Sequence, residues 1–182
     1  MTVYRKQVYV WNEPQPRCTF PPRLRFRALA EVGEAAFIEL LGRVLVGSLD
    51  THDRRRIEQL GAEAAARRFF HEARPDFDYQ PEWWVVGVDA DGAAVGLVQP
   101  VVFPGCVRDG LDEGTIYYIG VHPQQRGRQY GYDLLCHATA TLQQVGVWRI
   151  YCDTDVHNLP MQRTFARAGY QTDGTVREYR LE

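Results

Sequence analysis

The chain has 182 residues, 45% hydrophobic and 24% charged, with 21 Lys plus Arg against 23 Asp plus Glu and a net charge of -2. A chain of this length buries one sizeable core in one domain, and this composition excludes disordered and collagen-like polymers. The near-neutral balance supplies no broad basic field for a polyanion, so nucleic acid is not the expected partner. No run approaches the ~20 apolar residues of a membrane span and the polar start lacks the apolar centre of a signal peptide, so the expected location is cytoplasmic. Four cysteines without a Cys-x-x-Cys pair read as reduced, mostly buried thiols, with no metal.

In chain order, Tyr4 to Trp11 is readable as an extra strand in an N-terminal extension, residues 1–22, set off by Pro14, Pro16, Pro21 and Pro22. Residues 23–182 read as a single domain. Leu24 to Ala28 alternates like a strand, and Val32 to Val46 carries Phe37, Leu41, Val44 and Leu45 at helical spacing. Ser48 or Asp50 caps a second helix with Ile57, Leu60, Ala64, Ala65 and Phe69 on one face and a stop at Pro75, its Arg54, Arg55, Arg56, Arg67 and Arg68 forming a solvated face. Trp84 to Asp89 and Ala93 to Val102 form a hairpin around Ala90, Asp91 and Gly92, closed by Pro104 and Gly105. Thr115 to Val121 is a strand ended by Pro123; Tyr132 to Gln144 is a helix, Trp148 to Asp153 a strand, Leu159 to Ala168 a helix and Thr175 to Leu181 the closing strand. The order β-α-α-β-β-β-α-β-α-β is an α/β layout.

Chemistry concentrates where the strand Thr115 to Val121 runs through His122-Pro-Gln-Gln-Arg-Gly-Arg-Gln-Tyr-Gly131 into a helix. A helix N-terminus leaves its first N–H groups unpaired and partly positive, and Gly127 permits the turn that aims several of them at one anion. Arg126 and Arg128 add charge. The segment is neither a Walker loop nor a Gly-x-Gly-x-x-Gly fingerprint.

The run from Ile116 to Tyr170 resembles motifs A and B of the GCN5-related N-acetyltransferase (GNAT) superfamily. Val121, Pro123, Arg126, Gly127 and Gly131 match Val-x-Pro-x-x-Arg-Gly-x-Gly-x-Gly; Asn158, Met161, Phe165, Arg167, Gly169 and Tyr170 match the second motif. The resemblance implies a mixed, mostly antiparallel sheet flanked by helices, with its fourth and fifth strands splayed around coenzyme A. It implies acetyl transfer from acetyl-CoA, as co-substrate and without metal, to a primary amine acceptor. The implied cofactor contacts are Ile119, Gly120, Val121, Arg126, Gly127, Arg128, Gln129, Tyr130, Gly131, Tyr132, Asn158, Phe165 and Arg167. The implied mechanism is direct attack, with a backbone N–H near Val121 polarising the thioester.

Two positions depart from the family pattern. Gln129 stands where glycine is usual, and Phe165 stands where many members place a tyrosine that protonates the thiolate. An ammonium of pKa ~10.4 needs a base, and the strand position where some members have a glutamate is Tyr117. Glu113, relayed through water, with Tyr117 and Asn158 beside it, is the expected catalytic set; Asp112, Asp153, Asp155 and His157 compete. Tyr118, Tyr130, Tyr179, Trp83 and Trp84 are candidate acceptor-pocket aromatics. Acidic residues Asp76, Asp78, Glu82 and Asp109 would suit a cationic acceptor. The rival reading is a non-catalytic acyl-CoA sensor. A homodimer would pair through the N-terminal strand or the last strand.

Overall fold

The computed structural model describes residues 2–12 and 23–181; the four prolines between them, and Cys18, lie outside the described residues. The strands are β1 (Thr2–Asn12), β2 (Arg25–Ala28), β3 (Val85–Val88), β4 (Ala94–Arg108), β5 (Leu111–Val121), β6 (Val147–Asp155) and β7 (Val176–Leu181). The helices are α1 (Leu29–Val32), α2 (Glu34–Leu45), α3 (Thr51–Leu60), α4 (Ala62–Asp76), α5 (Tyr130–Val145) and α6 (Leu159–Arg167). One seven-stranded sheet runs β2-β3-β4-β5-β6-β1-β7, with every pairing antiparallel except β5 with β6. The α/β class and the mostly antiparallel sheet are those expected.

Several boundaries differ from the sequence reading, each for a local reason. The helix expected from a cap at Ser48 or Asp50 to a stop at Pro75 is two helices, because Gly61 at φ 77° ends α3 with its N–H on the Ile57 carbonyl and starts α4, which runs one residue past the expected stop to Asp76. Gly33 at φ 78° likewise separates α1 from α2. β4 does not close at Pro104 but continues to Arg108, because Asp109 and Gly110, with φ of 53° and 80°, make the turn into β5. β1 is an interior strand, paired through Lys6↔Asp155 to Asn12↔Arg149 with β6 and through Thr2↔Leu181 to Gln7↔Val176 with β7. Its edges are therefore spent, which removes the N-terminal strand as a dimer edge and leaves β7 and β2 as the edge strands.

Two apolar layers sandwich the sheet. On one face α5 and α6 pack Leu134, Leu135, Leu142 and Phe165 against Trp11, Val98, Ile116 and Ile150. On the other, α2 and α4 pack Phe37, Leu41, Phe69 and Phe70 against Trp84, Leu97 and Val101. A Cβ at Gly120 would run into Val44, so glycine there lets α2 lie directly on β5.

Candidate functional site

β5 and β6 lie side by side only at their feet, from Asp112↔Val147 to Gly114↔Ile150. Beyond that the two strands part, leaving a gap flanked by Thr115–Val121 and Tyr151–Asp155. Tyr117 is the extra residue of a bulge opposite Gln99 and Pro100, so Tyr117 and Tyr118 both face α4. His122 N–H donates to Val95 of β4 at 2.8 Å. Strand alternation then turns Gly120 and Tyr118 toward β4, and Ile119 and Val121 toward the gap.

At the head of the gap Pro123–Gln125 forms a 3-10 turn, Gly127 takes φ 81° and Gln129 φ 64°, and α5 starts at Tyr130. Among the described residues, the N–H groups of Gly127, Arg128, Gln129, Tyr130 and Gly131 donate to no turn, loop or cap carbonyl. Space around a Cβ at Gly127 is open. This is an anion cradle of backbone amides at the end of a 16-residue helix.

Arginines fix the cradle from outside. Arg126 donates from Nε to Val121 at 3.1 Å, and from its terminal nitrogens to Gly47 at 2.7 Å and to Val44 and Val46 at 3.0 Å. It caps α2 and pins the turn; its guanidinium is spent on carbonyls, where the sequence reading had it on phosphate. Arg23 grips the fully buried Asp133 at 2.8 and 2.9 Å and the carbonyls of Arg128 and Gln129. Arg167 bonds Gln129 Oε1 at 2.6 Å and lies 4.1 Å over the Tyr132 ring. Arg128 is exposed.

Other expected contacts stand elsewhere. Phe165 is 2% exposed, packed against Tyr9 and Tyr170 at 4.9 and 5.1 Å, so it belongs to the core and not to a cleft wall. Asn158 caps α6, accepting from Met161 N–H at 3.3 Å. Glu113 is at the paired foot of the strands, bound to Arg149 at 2.7 Å, five residues along the strand from Tyr118. Trp84 is wholly buried in the core.

A turn of amides without carbonyl partners, at the head of parted parallel strands, is suited to an anion. The model of the acetyltransferase (GNAT) family matches residues 48–170. The chain belongs to that family. No curated protein matches the sequence at a significant level. Among solved structures, a GNAT protein of Sphaerobacter thermophilus is 20% identical with a TM-score of 0.59, over 97% of this chain and 51% of its own. A GNAT-family acetyltransferase of Colwellia psychrerythraea is 13% identical with a TM-score of 0.62, over 98% and 56%. Glucosamine-6-phosphate N-acetyltransferase of Arabidopsis thaliana is 18% identical with a TM-score of 0.55, over 87% and 97%. The chain thus spans about half the length of the first of these. At such identities the likeness is one of fold.

On the α3 face of this GNAT sheet, the first turn of α3 bridges the parted strands. Asp50 caps α3 through His52 N–H at 2.9 Å and pairs with Lys6 of β1 at 3.1 Å; Lys6 also lies 3.5 Å from Asp153 of β6. Burial alone would lower the Lys6 ammonium, but the two aspartates raise it above its ordinary value. Thr51 N–H donates to Asp155 at 3.0 Å, and Tyr179 donates to Asp153 at 2.6 Å. Burial works to raise Asp155, yet bonds from Thr51 and His157 hold it below the usual carboxylate range. Asp53, 5% exposed, accepts from Ser48 at 2.7 Å and Tyr118 at 3.4 Å; burial first, then Asp50, pushes its carboxyl up to about 6. Burial also pushes Tyr117 up to about 12 and drives Tyr118 well above its ordinary range.

Asp53, Ser48, Lys6 and Tyr118 were not singled out as a group by sequence reasoning. Asp53 lies three residues after the cap, where an acid normally complements the helix dipole in solvent, and nothing local signals that this one is buried. Cys152, buried, has its thiol pushed up to about 12 and is no thiolate at neutral pH. Among the described residues, no helix is long and apolar enough to cross a membrane, and no group of three His, Cys, Asp or Glu is placed to hold a metal.

Proposed function

We propose that the chain transfers an acetyl group from acetyl-CoA to a primary amine by direct attack. The observation that carries this is the gap between parallel β5 and β6 with a turn of unpaired amides at its head. Acetyl-CoA supplies the activated acetyl group. Gly127 to Gly131 hold the diphosphate through N–H groups, Arg128 adds charge, and Ile119 and Val121 pair their backbone with the pantetheine amides. Tyr130, Tyr132, Gln129 and Arg167 flank the entry, and Asn158 closes the far side. Orientation of the two reactants is worth ~7–11 kcal/mol, and a strand N–H on the thioester oxygen adds roughly 2.7–4 kcal/mol.

The acceptor enters from the face of α3 and α4, where Tyr117, Tyr118 and Phe69 form an aromatic wall with ring separations of 5.0 and 4.9 Å from Phe69. A cytoplasmic location accords with reduced thiols at Cys106, Cys136 and Cys152. The second reading, a non-catalytic acyl-CoA sensor, draws on Phe165, which is buried and carries no proton to donate where the family resemblance expects a tyrosine. Water suffices for a thiol of pKa ~8.5, so catalysis is the stronger reading.

Calorimetric titration with acetyl-CoA tests the site. Micromolar binding weakened in Arg128→Ala supports it, and absence of binding sinks it. Amine-dependent release of free thiol then separates an enzyme from a sensor.

A further inference from the structure

The carboxylates around the gap are not equivalent. Glu113 is paired with Arg149, Asp50 and Asp153 share Lys6, Asp133 is gripped by Arg23, and Asp155 accepts N–H groups from Thr51 and His157. Asp53 differs: among the described residues no cation pairs with it, and its recorded donors are two neutral hydroxyls, Ser48 and Tyr118. A buried carboxylate without a cation keeps its basicity, whereas a paired one loses it.

Tyr118 joins Asp53 to β5, the strand that borders the gap. It stands on β5 beside Ile119, at the margin of the parted strands, and its ring and hydroxyl pass close over Gly120. Gly120 has no side chain to fill that space, so the phenol lies along the strand toward the open end. Its hydroxyl reaches Asp53 on the α3 and α4 face, the face from which the proposed acceptor enters.

We propose that Asp53 is the proton acceptor for the incoming amine, reached through the Tyr118 hydroxyl. The inference rests on the acetyl-transfer reading above. In the step, an N–H bond of the substrate ammonium breaks and its proton passes to the Tyr118 oxygen. The Tyr118 proton passes at once to Asp53 Oδ2, so the phenol stays neutral and Asp53 ends as the acid. The freed nitrogen lone pair attacks the thioester carbon, the C–S bond breaks, and the second nitrogen proton reaches the departing thiolate through water; Asp53 returns its own proton to solvent, so the products are the amide, coenzyme A thiol and one proton. Glu113, fixed at the foot of the strands, keeps the role of a partner to Arg149.

Burial is the first influence on Asp53 and raises it; of the groups facing it, Asp50 at the cap of the helix raises it further, while Ser48 before the helix, Lys6 from β1 and Tyr118 from β5 lower it. Arg126 acts on Tyr118 from the cradle side. The rate should therefore rise with pH through about 6, and loss of the Ser48 hydroxyl should move that limb upward.

The test compares two nucleophiles on acetyl-CoA: ethylamine, an ammonium at neutral pH, and hydroxylamine, already free base there. Asp53→Asn should lose about 10²-fold in kcat with ethylamine, lose far less with hydroxylamine, and lack the acid limb. Tyr118→Phe should show the same split, and Ser48→Ala a displaced limb, so the test survives failure of one variant to fold. Equal rates to the parent with both nucleophiles, or equal losses with both at unchanged acetyl-CoA affinity, overturn the proposal. A parent protein that transfers to hydroxylamine but to no alkylamine overturns it too. If the parent does not bind acetyl-CoA by calorimetry, the acetyl-transfer reading fails first.

Discussion

The two sides of the β5–β6 gap are built from different material. On the cradle side the groups presented are backbone amides, and the side chains Arg23 and Arg126 clamp carbonyls from outside. On the α3 side the groups presented are side chains drawn from β1, α3, β5, β6 and β7, meeting around Lys6 and Asp53. A backbone site depends on chain geometry and is indifferent to pH. A side-chain site depends on charge balance and titrates.

Substitutions should separate the two sides. The largest effect belongs to Lys6→Met, which leaves Asp50 and Asp153 as uncompensated neighbours in a site where Lys6 is 19% exposed. It should cost about 3 kcal/mol, seen as a lower urea midpoint at unchanged slope. Because the folded ammonium is raised, its stabilisation is present below the unfolded pKa of ~10.4 and is lost as pH climbs through the folded value.

Asp53→Asn should act in the opposite direction. A carboxyl raised to about 6 in the fold stabilises fully below its unfolded value and loses that contribution as pH rises through about 6. The asparagine variant should therefore exceed the parent by roughly 2 kcal/mol at alkaline pH, with the advantage gone in acid, in parallel denaturation series. A gain in stability coupled to loss of amine transfer would mark a residue kept for chemistry.

On the cradle side, Arg126→Ala should cost about 1 kcal/mol by releasing the end of α2, and should weaken acetyl-CoA through the turn it pins. Arg128→Ala should leave the melting midpoint unchanged and weaken binding by about fivefold, or ~1 kcal/mol. The smallest effect is expected for Gln129→Gly, which relieves a left-handed side chain at φ 64° but loses the Arg167 bond. A net gain of about 0.5 kcal/mol should appear in thermal melts.

Legibility in the sequence follows the same division. The cradle was readable because its geometry is written locally, in Pro123, Gly127 and a helical period read from Tyr132, two residues inside the observed start at Tyr130. The parted strands came with the family resemblance. What local pattern does not contain is partner choice: Arg126 looks like a phosphate ligand until α2 is seen ending beside it, and Phe165 looks like a cleft residue until Tyr9 is packed against it. Asp53 looks like any first-turn acid, and only Tyr118, 65 positions away, reveals its burial. The break at Gly61 was hidden because helical period continues on both sides of it.

The placement of β1 also orders the making of the molecule. Lys6 pairs with Asp155 and Tyr4 with Tyr179, so β1 cannot find either neighbour until β6 and β7 have been made. Such long-range pairings slow folding, since loop closure precedes any gain from contact. β2 through β5 have nearer partners and can assemble first; the half-sheet that carries Lys6, Asp153 and Tyr179 forms last. The charge cluster around Lys6, which ties the first turn of α3 to β1 and β6, would thus close after the amide turn at the head of β5.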